Sequence, residues 1–471
     1  MALTIGLINA SLPSYFPKKH GVFDAARAML DELAVREGLT IVEAPDIPID
    51  GADARRAVDA CLAQGADFIL LLHGGFTMGD VAREIARYNI PMGVWSTPEP
   101  VLTGDVQLNN FVSLNMSMSI VRGVRDLHKH PVQWYHGAPQ DPALQARLTQ
   151  SFRALSARQA LLGARIGMVG GLAPTFYNME VSSDRLMRAL GVSVEHIDIH
   201  DMTGRMRGFA PDVVAGELAL MTAAAAVDGV SDAQMDLTAR AALALRAIAR
   251  DGHYDALTVS DWPALQADPG MHPGAAFSWL EEVDQLPVAS EGDILGAVTQ
   301  LAIRAMTHKL GCLLDMTSPD LENDQILMWH GGGGPLHMAK EAPTWINHPM
   351  IGRGTPEGPI FGAIADYEFA EGDVTVVRIA RHGEAQFAVA GHVGAHAQSG
   401  FTGCRGWVGD FSSRTGPCTA ADIVSTVMEH GLEHHFVLVP GNWRSTFEEF
   451  GAWCAMQPLD VLSAHDGLPS F

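Results

Sequence analysis

Cysteine is scarce in this 471-residue chain, which holds five of them and no Cys-x-x-Cys pair. An odd, scattered set argues against a disulfide framework and against a zinc ribbon, which needs closely spaced pairs of thiolates. We therefore expect mostly buried free thiols, at Cys61, Cys312, Cys404, Cys418 and Cys454.

Basic residues are also few, since 31 Lys and Arg stand against 54 Asp and Glu, for a formal charge of −23. Such a field repels nucleic acid and anionic membranes, so a small-molecule substrate or a protein partner is expected. Long apolar runs are missing too, because stretches such as Phe68–Leu72 are far too short to span a bilayer. The first segment, MALTIGLINA, lacks the basic region and cleavage site of a signal peptide. Together these absences predict a cytoplasmic protein with no membrane or nucleic-acid partner.

The chain length suits two or three domains, and the hydrophobic pattern divides it into three. Residues 1–162 alternate apolar strands with amphipathic helices, as in a doubly wound, Rossmann-like α/β domain. Residues 163–306 repeat this pattern and predict a second α/β domain. In residues 307–471, short strands separated by glycine-rich turns predict a mostly antiparallel β domain.

Two acidic residues follow apolar segments directly, at the strand ends where open α/β sheets bind ligands. Glu291 lies in VASEGD, before a predicted helix, and Asp315 lies in LLDMTS, after an apolar strand. Taken singly, Glu291 is explained equally well as a first-turn acid that favours the helix dipole. Asp315, taken singly, is better explained as a turn or N-cap residue.

Histidines also stand at strand ends. His330 precedes four glycines, which indicates a place approached closely by backbone or ligand, although a hairpin turn with an incidental histidine also explains it. His434 and His435 open a strand in which adjacent side chains point to opposite faces, so only one is expected to face the acids. Two carboxylates and two imidazoles suit Mn²⁺, or another divalent cation such as Co²⁺ or Mg²⁺.

Three further residues are candidates for substrate binding. Lys18 and Lys19 follow the first strand and concentrate positive charge in an acidic protein, although a solvated turn explains them at least as well. Trp95 ends a strand in GVWSTP, where it would either stack on a sugar face or belong to the core.

Several segments resemble the L-fucose and L-arabinose isomerase superfamily, namely SEGDILGAVTQ, LLDMTS, LMWHGGGGP, EHHFVLVPGN and the N-terminal LNNFVSLNMSM. The resemblance covers most of the chain and implies that Glu291 and Asp315 hold a catalytic metal ion. It implies that His330 is an additional ligand. It also implies that one of His434 and His435 is the late metal-binding histidine, with His435 favoured. The other, His434, is expected to support the site or to contact the substrate.

The same resemblance implies a β-barrel-like C-terminal domain. It further implies a homo-oligomer, expected as a homotrimer or homohexamer, whose active site includes N-terminal residues of a neighbouring subunit.

The function expected from these features is metal-dependent interconversion of an aldose and a ketose. Moving a carbonyl from C1 to C2 carries a proton between two carbons through an enediolate, which a divalent cation stabilises. Glu291 and Asp315 are the expected base and acid.

Two alternatives stay open. The first is an isomerase or lyase of a modified acidic sugar, such as a sulfoquinovose-like sulfosugar, with Lys18, Lys19 and the glycines at 331–334 holding the anion. The second is a non-catalytic sugar-binding protein, which would not need clustered metal ligands.

Overall fold

A computed structural model of the chain describes residues 2–124, 126, 128–351 and 361–464. The chain divides into two compact units, Met1–Gln159 and Ala160–Phe471. The first predicted boundary, at 162/163, stays a prediction. The second unit holds both the central α/β segment and the β-rich segment, and the boundary at 306/307 stays a prediction.

The first unit is a parallel α/β domain. Its strands are β1 (Thr4–Ala10), β2 (Thr40–Glu43), β3 (Phe68–His73), β4 (Met92–Ser96) and β5 (Val132–His136). Its helices are α1 (Val22–Glu37), α2 (Gly51–Ala63), α3 (Gly79–Ala86), α4 (Asn110–Gly123) and α5 (Pro142–Leu161), the last of which runs to the start of the second unit.

The strands of the first unit pair in the order β2-β1-β3-β4-β5, all in parallel. Strand β3 is buried along its whole length. This agrees with its almost continuous apolar sequence, which is typical of a parallel strand covered by helices on both faces. The predicted doubly wound pattern is therefore confirmed in this unit.

The second unit begins with another α/β layer. Its strands are β6 (Arg165–Val169), β7 (Ser193–Ile197), β8 (Ala226–Asp228), β9 (Ala256–Val259) and β10 (Val288–Ala289). Its helices are α6 (Ser183–Leu190), α7 (Ile199–Gly208), α8 (Pro211–Ala224), α9 (Asp232–Gly252), α10 (Ala264–Ala267), α11 (Gly274–Val283) and α12 (Ile294–Thr307).

Four of these strands form a parallel sheet in the order β10-β9-β6-β7. The carboxyl ends of β9 and β10 lie side by side, and the loops that follow them carry Asp261 and Glu291. This sheet edge forms one side of the candidate site.

The rest of the second unit is a mixed, mostly antiparallel sheet. Its strands are β11 (Cys312–Asp320), β12 (Gln325–His330), β13 (Thr344–Asn347), β14 (Gly362–Glu368), β15 (Gly372–Ala380), β16 (Ala385–Val393), β17 (Cys404–Ser413), β18 (Gly416–Pro417), β19 (His435–Pro440) and β20 (Gln457–Pro458). Two helices, α13 (Ala420–His430) and α14 (Arg444–Trp453), complete it.

The strand order in this sheet is β20-β16-β15-β19-β11-β12-β17-β14-β13-β8, with a further antiparallel pairing between β16 and β17. Strand β8 comes from the central segment of the sequence, and it pairs in parallel with β13. This pairing ties the central and C-terminal segments together within the second unit.

No disulfide joins any of the five cysteines, as expected. Among the described residues, no helix is both long enough and apolar enough to cross a membrane.

One buried acid makes stability depend on pH. Glu281, in α11, accepts a hydrogen bond from Gln300 Nε2 at 2.7 Å, and burial raises the pKa of its carboxyl to about 8. The folded protein holds this proton more tightly than the unfolded chain does. The protonated carboxyl therefore contributes fully to the free energy of unfolding when the pH is below 4.5, the ordinary pKa of the group. The contribution is lost as the pH rises through about 8.

Between pH 4.5 and about pH 8, ionisation of Glu281 should lower the free energy of unfolding of the native protein by up to about 1.4 kcal/mol per pH unit. We expect this decrease to be absent from Glu281→Gln. Urea unfolding of both proteins between about pH 5 and pH 9 measures the difference. Glu322→Gln, the same exchange in an exposed turn, should leave the native slope unchanged. Equal slopes for the native protein and Glu281→Gln would contradict the prediction.

Candidate active site

Strand register brings three of the predicted residues together. On β11, Asp315 pairs with His435 of β19 on one side and with Trp329 of β12 on the other. His330 follows Trp329, and its ring lies 5.1 Å from the ring of His435, centroid to centroid. Residues far apart in sequence thus meet at neighbouring positions across three strands.

Glu291 reaches this cluster from the loop after β10. Its backbone adopts a left-handed conformation with φ of 62°, which is strained for a residue other than glycine and typical of functional sites. The backbone N–H of Glu291 donates to Asp261 Oδ1 at 2.7 Å, and Trp262 Nε1 donates to Glu291 Oε1 at 3.2 Å. These contacts hold the Glu291 carboxylate in one orientation.

The atoms around His435 Nε2 have the composition of a metal site. This nitrogen lies 3.4 Å from Glu291 Oε2, 3.7 Å from Asp315 Oδ1 and 3.3 Å from His330 Nε2. Two overlapping groups, Glu291–His330–His435 and Asp315–His434–His435, each place their ligand atoms within 4.8 Å of one another. His435 belongs to both groups and is completely buried.

A buried charge network supports the opposite edge of the His435 ring. His435 Nδ1 donates to Asp293 Oδ2 at 3.1 Å. Asp293 also accepts two hydrogen bonds from Arg378, at 2.5 and 3.0 Å. Arg378 lies on β15, and its Nε is 3.6 Å from Glu433 Oε2. This arrangement fixes the proton of a neutral His435 on Nδ1 and leaves the lone pair of Nε2 directed at the acids.

The charges of this cluster favour a cation at its centre. Burial alone would lower the pKa of His435, but hydrogen bonds to Asp293 and Glu291 raise it to about 10. Burial alone would raise the pKa of Glu291, but hydrogen bonds from His434 and His435 hold it well below its usual range. The same competition, with Arg378 opposing burial, holds the pKa of Asp293 well below its usual range. Burial lowers the pKa of His330.

A cavity of about 220 Å³ opens over the cluster. Glu291 and Asp315 line it, Trp262 and Trp329 contribute aromatic surface, and backbone at Gly331 and Gly332 borders it. No lysine or arginine is among its lining residues in the part of the chain that the structure describes. The cavity therefore offers carboxylates, imidazoles and aromatic faces to a small polar molecule.

The expected opposite orientation of His434 and His435 is wrong. Both rings approach Glu291, with His434 Nε2 3.3 Å from Glu291 Oε2. The reason is that β19 begins at His435, so His434 precedes the strand and the two-residue alternation does not apply to it. The His434 ring also packs against Phe176 at 5.1 Å, which is consistent with a supporting position beside the acids.

The remaining candidates lie in the first unit. Trp95 is fully buried and its Nε1 donates to the carbonyl of Gly137 at 3.0 Å, so the core interpretation replaces the predicted stacking on a sugar. Lys18 and Lys19 are exposed, and Lys19 Nζ lies 3.4 Å from Gln107 Oε1. The cluster of the second unit is thus built without these three residues.

Sequence reasoning missed other polar groups at the site. Asp261 follows β9, a strand-end position that the same argument could have identified. Asp293 stands two residues after Glu291, and its side chain also caps α12 by accepting from Gly296 N at 2.9 Å. The sequence around Arg378 did not indicate a residue of the site, because a charged residue within a strand is ordinarily assigned to a solvated face.

Comparisons with known proteins find isomerases among the relatives of this chain. No protein-family model matches the chain. A sulfoquinovose isomerase from Alkalicoccus urumqiensis is 25% identical over 383 residues, which cover 78% of this chain and 80% of the relative. Sulfoquinovose isomerases from Priestia aryabhattai and Priestia megaterium are each 24% identical over 418 residues, 88% of this chain and 89% of each relative.

The chain is an aldose–ketose isomerase. The predicted enzyme class is thus confirmed, and the alternative of a non-catalytic sugar-binding protein is set aside. In this isomerase the acids, histidines and aromatic residues of the second unit surround one cavity of suitable size for a monosaccharide.

Proposed function

We propose that this isomerase interconverts a sulfosugar aldose, sulfoquinovose, and its ketose with the help of a bound divalent cation such as Mn²⁺. The observation that carries the proposal is the meeting of the Glu291 and Asp315 carboxylates at His435 Nε2, on the wall of one cavity. The names of the three relatives support the choice of substrate.

The donor set fits a hard or borderline divalent cation. Glu291, Asp315 and His435 would hold it, because two carboxylate oxygens and an imidazole nitrogen suit Mn²⁺ and the site has no thiolate. The carboxylates of Glu291, Asp293 and Asp315 around the His435 ring support this fit, since they favour positive charge at that place. A cation bound there would stabilise the negative charge that develops on the substrate oxygens.

The residues of the chain perform the proton transfer in this proposal. Asp315 and Glu291 reach His435 from different elements, β11 and the loop after β10, so the substrate would lie between two carboxylates. One carboxylate removes the proton from C2 and the proton returns at C1, while the other carboxylate assists proton exchange at the oxygens. Trp262 and Trp329 shield the reacting carbons from water.

We also propose membership of the L-fucose and L-arabinose isomerase superfamily. The pairings β16-β15-β19-β11-β12-β17, together with the β16–β17 pairing, support a small closed barrel in the second unit. This agrees with the β-barrel-like C-terminal domain that the resemblance implies.

The sulfonate of the substrate needs positive charge that the described cavity residues do not supply. We propose that Lys18 and Lys19 of a neighbouring subunit supply it in a homotrimer or homohexamer. Lys19 contacts Gln107, within a segment that exposes apolar side chains such as Leu102, which is 88% exposed. Exposed apolar surface next to the lysines is typical of a protein interface.

Turnover of sulfoquinovose by the purified protein, followed by chromatography of aldose and ketose, tests the proposal. Chelator should lower kcat at least about 100-fold and Mn²⁺ should restore it, because a Lewis-acidic cation contributes several kcal/mol to such transition states. D-Glucose, which carries a hydroxyl in place of the sulfonate, is the matched control and should be a much poorer substrate. Unchanged activity in chelator would exclude the cation, and preference for glucose would exclude the sulfosugar.

A further inference from the structure

The two nitrogens of His330 differ in their hydrogen bonding. The backbone N–H of Gly332 donates to His330 Nδ1 at 2.6 Å. A backbone N–H can only donate, so Nδ1 must carry a lone pair and the ring cannot be an imidazolium. The single proton of the neutral ring is therefore on Nε2, the nitrogen that lies on the cavity side, 3.3 Å from His435 Nε2.

Two other histidines that line the cavity have the same arrangement. His348 Nδ1 accepts from the backbone N–H groups of Met350 and Ile351 at 3.1 and 3.0 Å. His272 Nδ1 accepts from the N–H of Gly274 at 3.2 Å, and its Nε2 lies 3.3 Å from Asp261 Oδ2, to which it donates. All three rings thus carry their proton on Nε2.

His435 has the opposite arrangement. Its Nδ1 faces the Asp293 carboxylate, which can only accept, so in the neutral ring the proton is on Nδ1 and the lone pair on Nε2. A metal ion binds the lone pair of a deprotonated nitrogen. For His330 to bind a metal through Nε2, its proton would have to move to Nδ1, where it would oppose the Gly332 N–H at 2.6 Å.

We propose that His330 is a hydrogen-bond donor to the substrate oxygens and not a metal ligand, and that His435 is the histidine that binds the cation. The inference rests on the proposed isomerase function. It changes the role that the family resemblance implies for His330, and it assigns this wall of the cavity to sugar oxygen atoms.

The position of His330 gives this donor a role in the reaction. Its Nε2 lies beside the cluster of Glu291, Asp315 and His435, 3.3 Å from His435 Nε2 and 3.4 Å from Ser290 Oγ. A cation on the lone pair of His435 Nε2 would leave the His330 N–H to donate to O1 or O2 of a sugar bound at that cation. Negative charge develops on these oxygens when the proton leaves C2. A fixed N–H donor aimed at developing charge is worth about 100- to 1,000-fold in kcat.

The test compares His330→Leu, His330→Gln and His435→Leu in the full-length protein. Free Mn²⁺, measured by electron paramagnetic resonance, gives the metal affinity, and sulfoquinovose turnover gives kcat and KM. We expect His330→Leu to bind Mn²⁺ within about 3-fold of the native protein while kcat falls about 100-fold or more. His330→Gln, whose amide N–H can replace Nε2–H, should recover part of kcat, whereas His435→Leu should weaken Mn²⁺ binding at least about 10-fold.

The inference is overturned if His330→Leu weakens Mn²⁺ binding as much as His435→Leu does. It is also overturned if His330→Gln turns over no faster than His330→Leu while both keep the native circular dichroism spectrum. Native protein that binds no Mn²⁺ would overturn the proposed cation and with it the role assigned to His435, and the Leu and Gln variants would then test the donor role of His330 alone. If the native protein turns over no sulfoquinovose, the proposed function fails. In that case the affinity for sulfoquinovose tests the donor role separately, and equal affinities of the native protein and His330→Leu would overturn it.

Discussion

Glu291→Gln is expected to lower kcat/KM for sulfoquinovose at least about 1,000-fold while the protein stays folded. The exchange is nearly isosteric, but it removes the charge that two histidines contact, at 3.3 Å from His434 Nε2 and 3.4 Å from His435 Nε2. It also removes a proton acceptor and one ligand of the proposed cation, so base catalysis and electrostatic stabilisation are both weakened. Asp315→Asn should act in the same direction for the same reason.

Steady-state kinetics with saturating Mn²⁺ measure this effect, and circular dichroism checks the fold. Glu322→Gln, the same exchange in an exposed turn, is the matched control and should keep native turnover. Near-native turnover by Glu291→Gln or by Asp315→Asn would exclude that residue as base or acid.

Arg378→Met should lower the free energy of unfolding strongly. Arg378 is fully buried and neutralises two buried carboxylates, Asp293 at 2.5 Å and Glu433 at 3.6 Å. Removing one partner of a buried ion pair leaves the other charge uncompensated, at a cost of about 3–5 kcal/mol in the free energy of unfolding. Because Asp293 orients His435, the variant should also bind Mn²⁺ more weakly at temperatures where it is folded.

Urea unfolding followed by tryptophan fluorescence measures the change in stability. Arg188→Met is the control, since Arg188 pairs with Asp184 on an exposed helix face, where a single ion pair contributes little. A midpoint for Arg378→Met equal to that of the control would mean that this buried network does not stabilise the fold.

Much of the candidate site could be predicted from strand-end positions. Glu291, Asp315 and His435 each follow or begin an apolar segment, and the structure brings their polar atoms together. The network behind them could not be predicted, because Arg378 and Asp293 are 85 residues apart and meet only through the packing of β15 against α12. The role of Trp95 could not be predicted either, because a strand-end tryptophan has the same local sequence whether it faces a ligand or the core.

The sequence by itself determined the alternation of strands and helices, the absence of a disulfide framework and the acids at the strand ends, because these follow from hydrophobic periodicity and residue chemistry over short distances. Only the tertiary structure decided which histidines share a face and which nitrogen of each ring carries the proton. His434 lies one residue before its strand, and the ring of His330 is capped by a backbone N–H two residues later. Both outcomes depend on backbone conformation at single residues, which side-chain patterning does not encode.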